Sequence, residues 1–138
     1  MLNTVLVPID NDACSEFCVH YAFDLARLLG SQVVILHVAR NRDRVEAGKA
    51  LLERLGQGGR FPAKRILMES DQVADTILQV ADKHRADLLL LGRCMGDVLV
   101  TREGIREQLL EKSPIPVQVV PINMRHKRSF LDRFQPGL

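Results

Sequence analysis

The sequence has no apolar run long enough to cross a bilayer: its longest, such as Val33–Leu36 and Leu88–Leu91, are far short of the roughly 20 residues a spanning helix needs. It also lacks a basic n-region, because Met1-Leu2-Asn3-Thr4 is uncharged and the apolar run Val5–Ile9 stops at Asp10. No secretory signal is expected, and the predicted compartment is the cytoplasm. Cysteine is sparse: Cys14, Cys18 and Cys94 are an odd number at spacings that match no disulfide framework. The expectation is free thiols in a reducing compartment. Nor does one sign of charge dominate. The net charge of the chain is +2. Arg125, Lys127, Arg128 and Arg133 against Asp132 give Ile122–Leu138 a net +3, which leaves −1 for the rest. The body of the chain is therefore not a polyanion binder.

What is present fits one folded domain. The 138 residues are 46% apolar and 26% charged, outside the composition of disordered or collagen-like chains, and the length suffices for a sizeable core. Thr4–Ile9 is a short β-branched run, the pattern of a strand buried on both faces. Asp12 then stands as an N-cap, and Phe17, Tyr21, Leu25 and Leu28 repeat at helical spacing up to Gly30, a C-terminal stop. Gln32–Val38 is a second buried strand, followed by a helix over Asp43–Leu55 that ends at the Gly56, Gly58, Gly59 breaker. Lys64–Met68 is a third strand. Behind Asp71 as cap, Ala74, Ile77, Leu78 and Ala81 share one helical face. Asp87–Gly92 is a fourth strand, followed by a loop to about residue 100, a helix over Arg102–Lys112 and a last strand at Pro116–Val120.

Strict alternation with continuously apolar strands predicts an α/β fold, a five-stranded parallel sheet with helices on both faces. Ligands of such sheets sit at the carboxyl ends of the strands, which directs attention to Asp10–Asp12, Val38–Arg40 and Gly92–Arg102. The predicted domain covers residues 1–122, with 123–138 as a basic C-terminal tail.

Five pieces in order carry a resemblance: Val5-Leu6-Val7-Pro8-Ile9-Asp10, Tyr21-Ala22 with Leu25-Ala26, Val34-Ile35-Leu36-His37-Val38, Ala86-Asp87-Leu88 to Gly92, and Pro114-Ile115-Pro116-Val117. Over residues 2–121 the chain resembles the universal stress proteins. The resemblance implies an open sheet of order 3-2-1-4-5, a Rossmann-like, nucleotide-binding α-hydrolase-like arrangement, and a homodimer through the last strands. It implies ATP or AMP as ligand. Base and ribose would lie near Pro8, Asp10 and Val38, and the phosphates on a Gly-x2-Gly-x9-Gly-Ser/Thr loop after the fourth strand, where backbone N–H groups and a helix N-terminus favour anions.

The chain departs from that loop. Gly92 holds the first position, but Met95 stands at the second and Gly96 comes one residue late. Gly104 follows after 11 intervening residues, where the motif has 12, and Ile105 replaces the hydroxyl residue. A β-carbon at Met95 opposes close backbone approach, and Glu103 repels phosphate, with Arg93, Thr101 and Arg102 as partial compensation. The candidate nucleotide set is thus Pro8, Asp10, Val38, Gly92, Arg93, Gly96, Arg102 and Gly104, in a degenerate site.

Each candidate has a structural counterpart. Asp10 can bind a ribose hydroxyl or hold the turn into the first helix. Asp10 and Asp12 raise a phosphoreceiver domain, which Met68-Glu69-Ser70 at the end of the third strand and a fifth strand without Lys argue against. Cys14 and Cys18 share a helix face, and Cys94 follows the adjacent fourth strand, which suits a redox pair or metal site, but Cys18 among apolar positions and the lack of a Cys-x-x-Cys favour buried small hydrophobes. His20, His37 and His84 are read as structural, and Ser15, Ser31 and Ser70 form no nucleophile elbow. No catalytic constellation and no metal site are assigned. The tail, with Phe130, Leu131 and Phe134 among its cations, is a weak footprint for membrane or nucleic acid. The reading is a non-enzymatic regulatory or stress-response protein with no nucleic-acid partner, no membrane insertion and an unidentified protein partner. The rival is an ATP-binding switch or slow ATPase. The dimer is expected on Val117, Val119, Val120 and Ile122, along an outer strand whose Pro116 and Pro121 limit pairing.

Overall fold

A computed structural model describes residues 2–56, 63–93 and 104–121. Five parallel strands, β1 (Thr4–Pro8), β2 (Gln32–Ala39), β3 (Ala63–Glu69), β4 (Leu88–Gly92) and β5 (Val117–Val120), form one sheet of order β3-β2-β1-β4-β5. Between them run α1 (Ala13–Leu29), α2 (Val45–Gly56), α3 (Val73–Lys83) and α4 (Ile105–Lys112). The alternation is that predicted from the apolar pattern, and the order is the one the resemblance implies.

The continuous apolar strands build a core on each side of the sheet, because successive side chains point to opposite faces. Val5, Val7, Val33, Ile35 and Leu90 pack against α1 and α2 through Cys18, Ala22, Leu51 and Leu52. Leu6, Val34, Leu36, Leu89 and Leu91 pack against α3 and α4 through Ala74, Ile77 and Leu109. All five residues of β1 and of β4 are buried. The Asp87 carboxylate fixes the start of this central pair, with Oδ2 accepting from the backbone N–H groups of Asn3 and Thr4 at 2.8 and 2.9 Å.

The helix ends follow the sequence at α1. Asp12 Oδ1 accepts from Ser15 N at 2.6 Å, and Gly30, at φ 69°, closes the helix with its N–H on Ala26 O, a conformation that glycine adopts without penalty. Two expectations are corrected. Asp43 lies in a 3-10 turn, Arg42–Arg44, which precedes α2. Asp71 does not cap α3: Gln72 is the N-cap, and Ser70 Oγ accepts from its N–H at 3.0 Å. The fourth helix is described from Ile105, and residues 102 and 103 of its expected start lie outside the described residues.

Candidate functional site

At the C-terminal edge of the sheet, Ile9 N donates to Leu36 O at 2.8 Å and prolongs the β1–β2 pairing by one residue. The chain then turns. Asp10 N donates to Ser15 Oγ at 2.7 Å, and Asp10 Oδ1 accepts from Asn11 N at 2.8 Å. Asp10 therefore holds the turn into α1, while its exposed side chain also stands at the rim of a cavity. That cavity is lined by Pro8, Asp10 and Val38, the positions the resemblance implies for base and ribose, with Leu36, Val73, Ile77 and Ile105. Its volume is about 30 Å³, room for a water or two, against the roughly 300–1,000 Å³ of ordinary ligand pockets. Ile105, the residue at the expected hydroxyl position, is part of its wall.

Gly92, Arg93 and Gly104 flank the loop after β4. Gly92 is buried against the first turn of α1: a β-carbon there would lie 2.9 Å from Cys14 Cβ and 3.2 Å from the Cys14 carbonyl atoms. Its lack of a side chain is thus required by helix–sheet packing alone. Gly104 is the N-cap of α4, where it supplies no side-chain bond. Arg106 bridges the two flanks, with its guanidinium donating to the Arg93 carbonyl and pairing with Glu107 at 2.8 Å. The hydrogen bond from Arg106 holds the Glu107 carboxyl below its ordinary pKa. Gly96 and Arg102, with Cys94, Met95, Thr101 and Glu103, lie outside the described residues.

The free-thiol expectation is corrected at Cys14, which is in a disulfide. Cys18 is the free cysteine among the described residues. One turn along α1 and fully buried, its thiol is pushed up to about 12, first by burial and then by the charge of Asp12. A thiol so held is inert as a nucleophile. His37 Nδ1 lies 2.9 Å from the Ile9 carbonyl oxygen. A carbonyl can only accept, so Nδ1 carries the proton and the histidine fastens β2 to the end of β1. Among the described residues no group of three or more His, Cys, Asp or Glu side chains is arranged to hold a metal.

A second concavity lies on the α1/α2 side of the same edge, with a volume of about 570 Å³. Arg40 from the end of β2, Arg44 from the 3-10 turn and Arg54 from α2 line it with Asn11, Gly48 and Asp10. Arg54 donates to Asn11 Oδ1 at 3.2 Å. Arg44 and Arg54 were not singled out from the sequence, and Arg40 only as the end of the segment Val38–Arg40. The available signal was Arg44, Ala47, Gly48, Leu51 and Arg54 at helical spacing, small residues between two cations on one face.

At the β5 edge Val117 and Val119 are partly exposed, whereas Val120 is buried in the core against α1, and Ile122 lies outside the described residues. No helix among the described residues is long and apolar enough to cross a membrane.

Residues 1–121 match the family model described as Universal stress protein family. A search of curated proteins returns no match. Among solved structures, a universal stress protein in complex with cAMP superposes with a TM-score of 0.73 at 20% identity, covering 87% of this chain and 97% of that one. One from Archaeoglobus fulgidus in complex with dAMP gives 0.70 at 19% identity, covering 86% and 98%. The protein UspA from Lactobacillus plantarum gives 0.67 at 17%, covering 86% and 97%.

Proposed function

The chain belongs to the universal stress protein family, and we propose that it acts as a non-enzymatic, cytoplasmic regulatory or stress-response protein whose adenine-nucleotide site is degenerate. The observation that carries this reading is the cavity at Pro8, Asp10 and Val38, which at about 30 Å³ is an order of magnitude below ligand size. Val73, Ile77 and Ile105 supply apolar wall to that cavity. The sequence adds Met95 and Glu103 where the phosphate loop needs glycine and no negative charge.

The alternative, an ATP-binding switch or slow ATPase, draws support from the convergence of Pro8, Asp10 and Val38 and from fold neighbours solved with cAMP and dAMP. It would use Gly92, Arg93, Gly96, Arg102 and Gly104 for phosphate. Titration calorimetry with ATP and magnesium separates the two. Binding no tighter than high micromolar, about −5 to −6 kcal/mol, is expected, and a submicromolar constant would establish the switch instead. The proposed assembly is a homodimer closed by antiparallel pairing of β5, with residues 123–138 as a basic tail outside the 1–122 domain.

A further inference from the structure

We propose that the groove between the end of β2 and α2 is a second ligand site, built for a small organic anion that carries phosphate or carboxylate groups. Three features of the groove lead there. Its volume of about 570 Å³ falls within the range of small-molecule sites, whereas the cavity across the sheet does not reach it. Its charge is one-sided. The charged residues that line it are Arg40, Arg44 and Arg54 against Asp10 alone, and one oxygen of Asp10 is already used by Asn11 N. Among the described residues the guanidinium groups of Arg40 and Arg44 make no hydrogen bond or ion pair. Arg54 is turned into the groove by its bond to Asn11. Three cations held on one concave surface repel one another unless an anion joins them, and guanidinium groups bind phosphate and carboxylate through paired N–H donors.

The third feature is the floor. Ala47, Gly48 and Ala50 leave α2 nearly bare there. Gly48 in particular could not carry a side chain, since its β-carbon would stand 2.6 Å from the His37 ring. Leu51 and Val38 give the wall an apolar component, which suits the organic body of such an anion. Arg44 and Arg54 are ten residues apart, about 15 Å at the helical rise of 1.5 Å per residue. That is the separation along the helix axis, and two extended arginine side chains close much of it, so one anion of small-molecule size can meet both guanidinium groups. The groove shares Asp10, His37, Val38 and Arg40 with the candidate nucleotide cavity, so the two are told apart by residues that line only one of them: Ala47, Gly48 and Leu51 for the groove, Val73, Ile77 and Ile105 for the cavity.

The test is a titration of the full ¹⁵N-labelled chain at constant ionic strength, with tripolyphosphate and citrate as the two probes. Saturable shifts at the backbone N–H groups of Ala47, Gly48 and Leu51 are expected. Saturation by tripolyphosphate alone identifies phosphate as the chemistry, and by citrate alone carboxylate. Arg44→Gln with Arg54→Gln should weaken the bound probe by at least about tenfold. Arg44→Gln alone should weaken it in the same direction, and Arg42→Gln, at an exposed cation outside the groove, should change nothing. No saturation by either probe up to about 5 mM, shifts confined to Val73, Ile77 and Ile105, or an equal loss in Arg42→Gln would overturn the proposal.

Discussion

Replacing Gly48 by Ala sets two known effects against each other. In the middle of a helix the change is worth about 1 kcal/mol in favour of the folded state. Here the new β-carbon would lie 2.6 Å from His37 Cδ2 and 2.9 Å from Leu67 Cδ1. Both obstacles stand on strands that α2 covers, and His37 is paired with Leu67 in the β2–β3 register. The ring cannot simply swing away, because its Nδ1–H is bonded to the Ile9 carbonyl and Ile9 is buried. Overpacking of this kind costs about 1–3 kcal/mol, and breaking the hydrogen bond adds about 1 kcal/mol. The expected net effect is a destabilisation of about 1–3 kcal/mol. For a chain of this length that lowers Tm by roughly 3–12 °C. Urea and thermal unfolding followed by circular dichroism measure it. The same substitution in a His37→Ala background, where the first obstacle is gone, should cost much less. A Gly48→Ala protein as stable as its parent would show that α2 does not approach β2 as closely as described.

Burial of Cys18 gives a pH dependence of definite sign. Its folded pKa, about 12, lies above the ordinary 9.0, so the folded state keeps a proton the unfolded chain loses. The contribution is complete below pH 9 and is lost as pH rises towards 12, at about 1.4 kcal/mol per pH unit. Cys18→Ala should remove that slope from the alkaline unfolding curve, and an unchanged slope would contradict the burial. In native protein Cys18 should resist alkylation, and non-reducing peptide mapping should recover Cys14 cross-linked. For the proposed dimer, Val119→Lys on the partly exposed β5 edge should move sedimentation velocity profiles towards monomer, and a parent protein that is monomeric at tens of micromolar would refute the assembly.

The middle of the sheet was legible because β1 and β4 are buried on both faces and carry uninterrupted apolar residues, as in Val5-Leu6-Val7 and Leu88 to Leu91. The cap at Asp12 and the stop at Gly30 were legible for a local reason, since each depends on residues within one turn. Asp71 misled because an acidic residue before a periodic run looks like a cap, while the neighbouring Ser70 hydroxyl makes the bond. The disulfide at Cys14 was missed although Cys94 is read as following the adjacent fourth strand, because only the packed fold brings the first turn of α1 against the end of β4, where Gly92 leaves room for it. The arginine groove was hidden for a similar reason. Arg40, Arg44 and Arg54 meet only after α2 has packed on β2, and each alone reads as an ordinary surface cation.

The two cavities share Asp10, His37, Val38 and Arg40 and lie on opposite faces of the same sheet edge. A parallel sheet presents its strand ends to both faces equally, so topology alone does not decide which side receives a ligand. The helices decide it through side-chain size. On the α3/α4 side Val73, Ile77 and Ile105 advance to within a water or two of closing the space. On the α2 side Ala47, Gly48 and Ala50 withdraw and leave the groove open. Enlarging the closed side should therefore be possible without touching the groove: Ile105→Ser, which also restores the hydroxyl expected of the phosphate loop, should strengthen ATP binding in calorimetry while leaving any anion affinity at α2 unchanged. If Ile105→Ser instead left ATP binding as weak as in the parent, the apolar filling of that cavity would not be what limits the nucleotide site, and the altered loop after β4 would have to carry the whole effect.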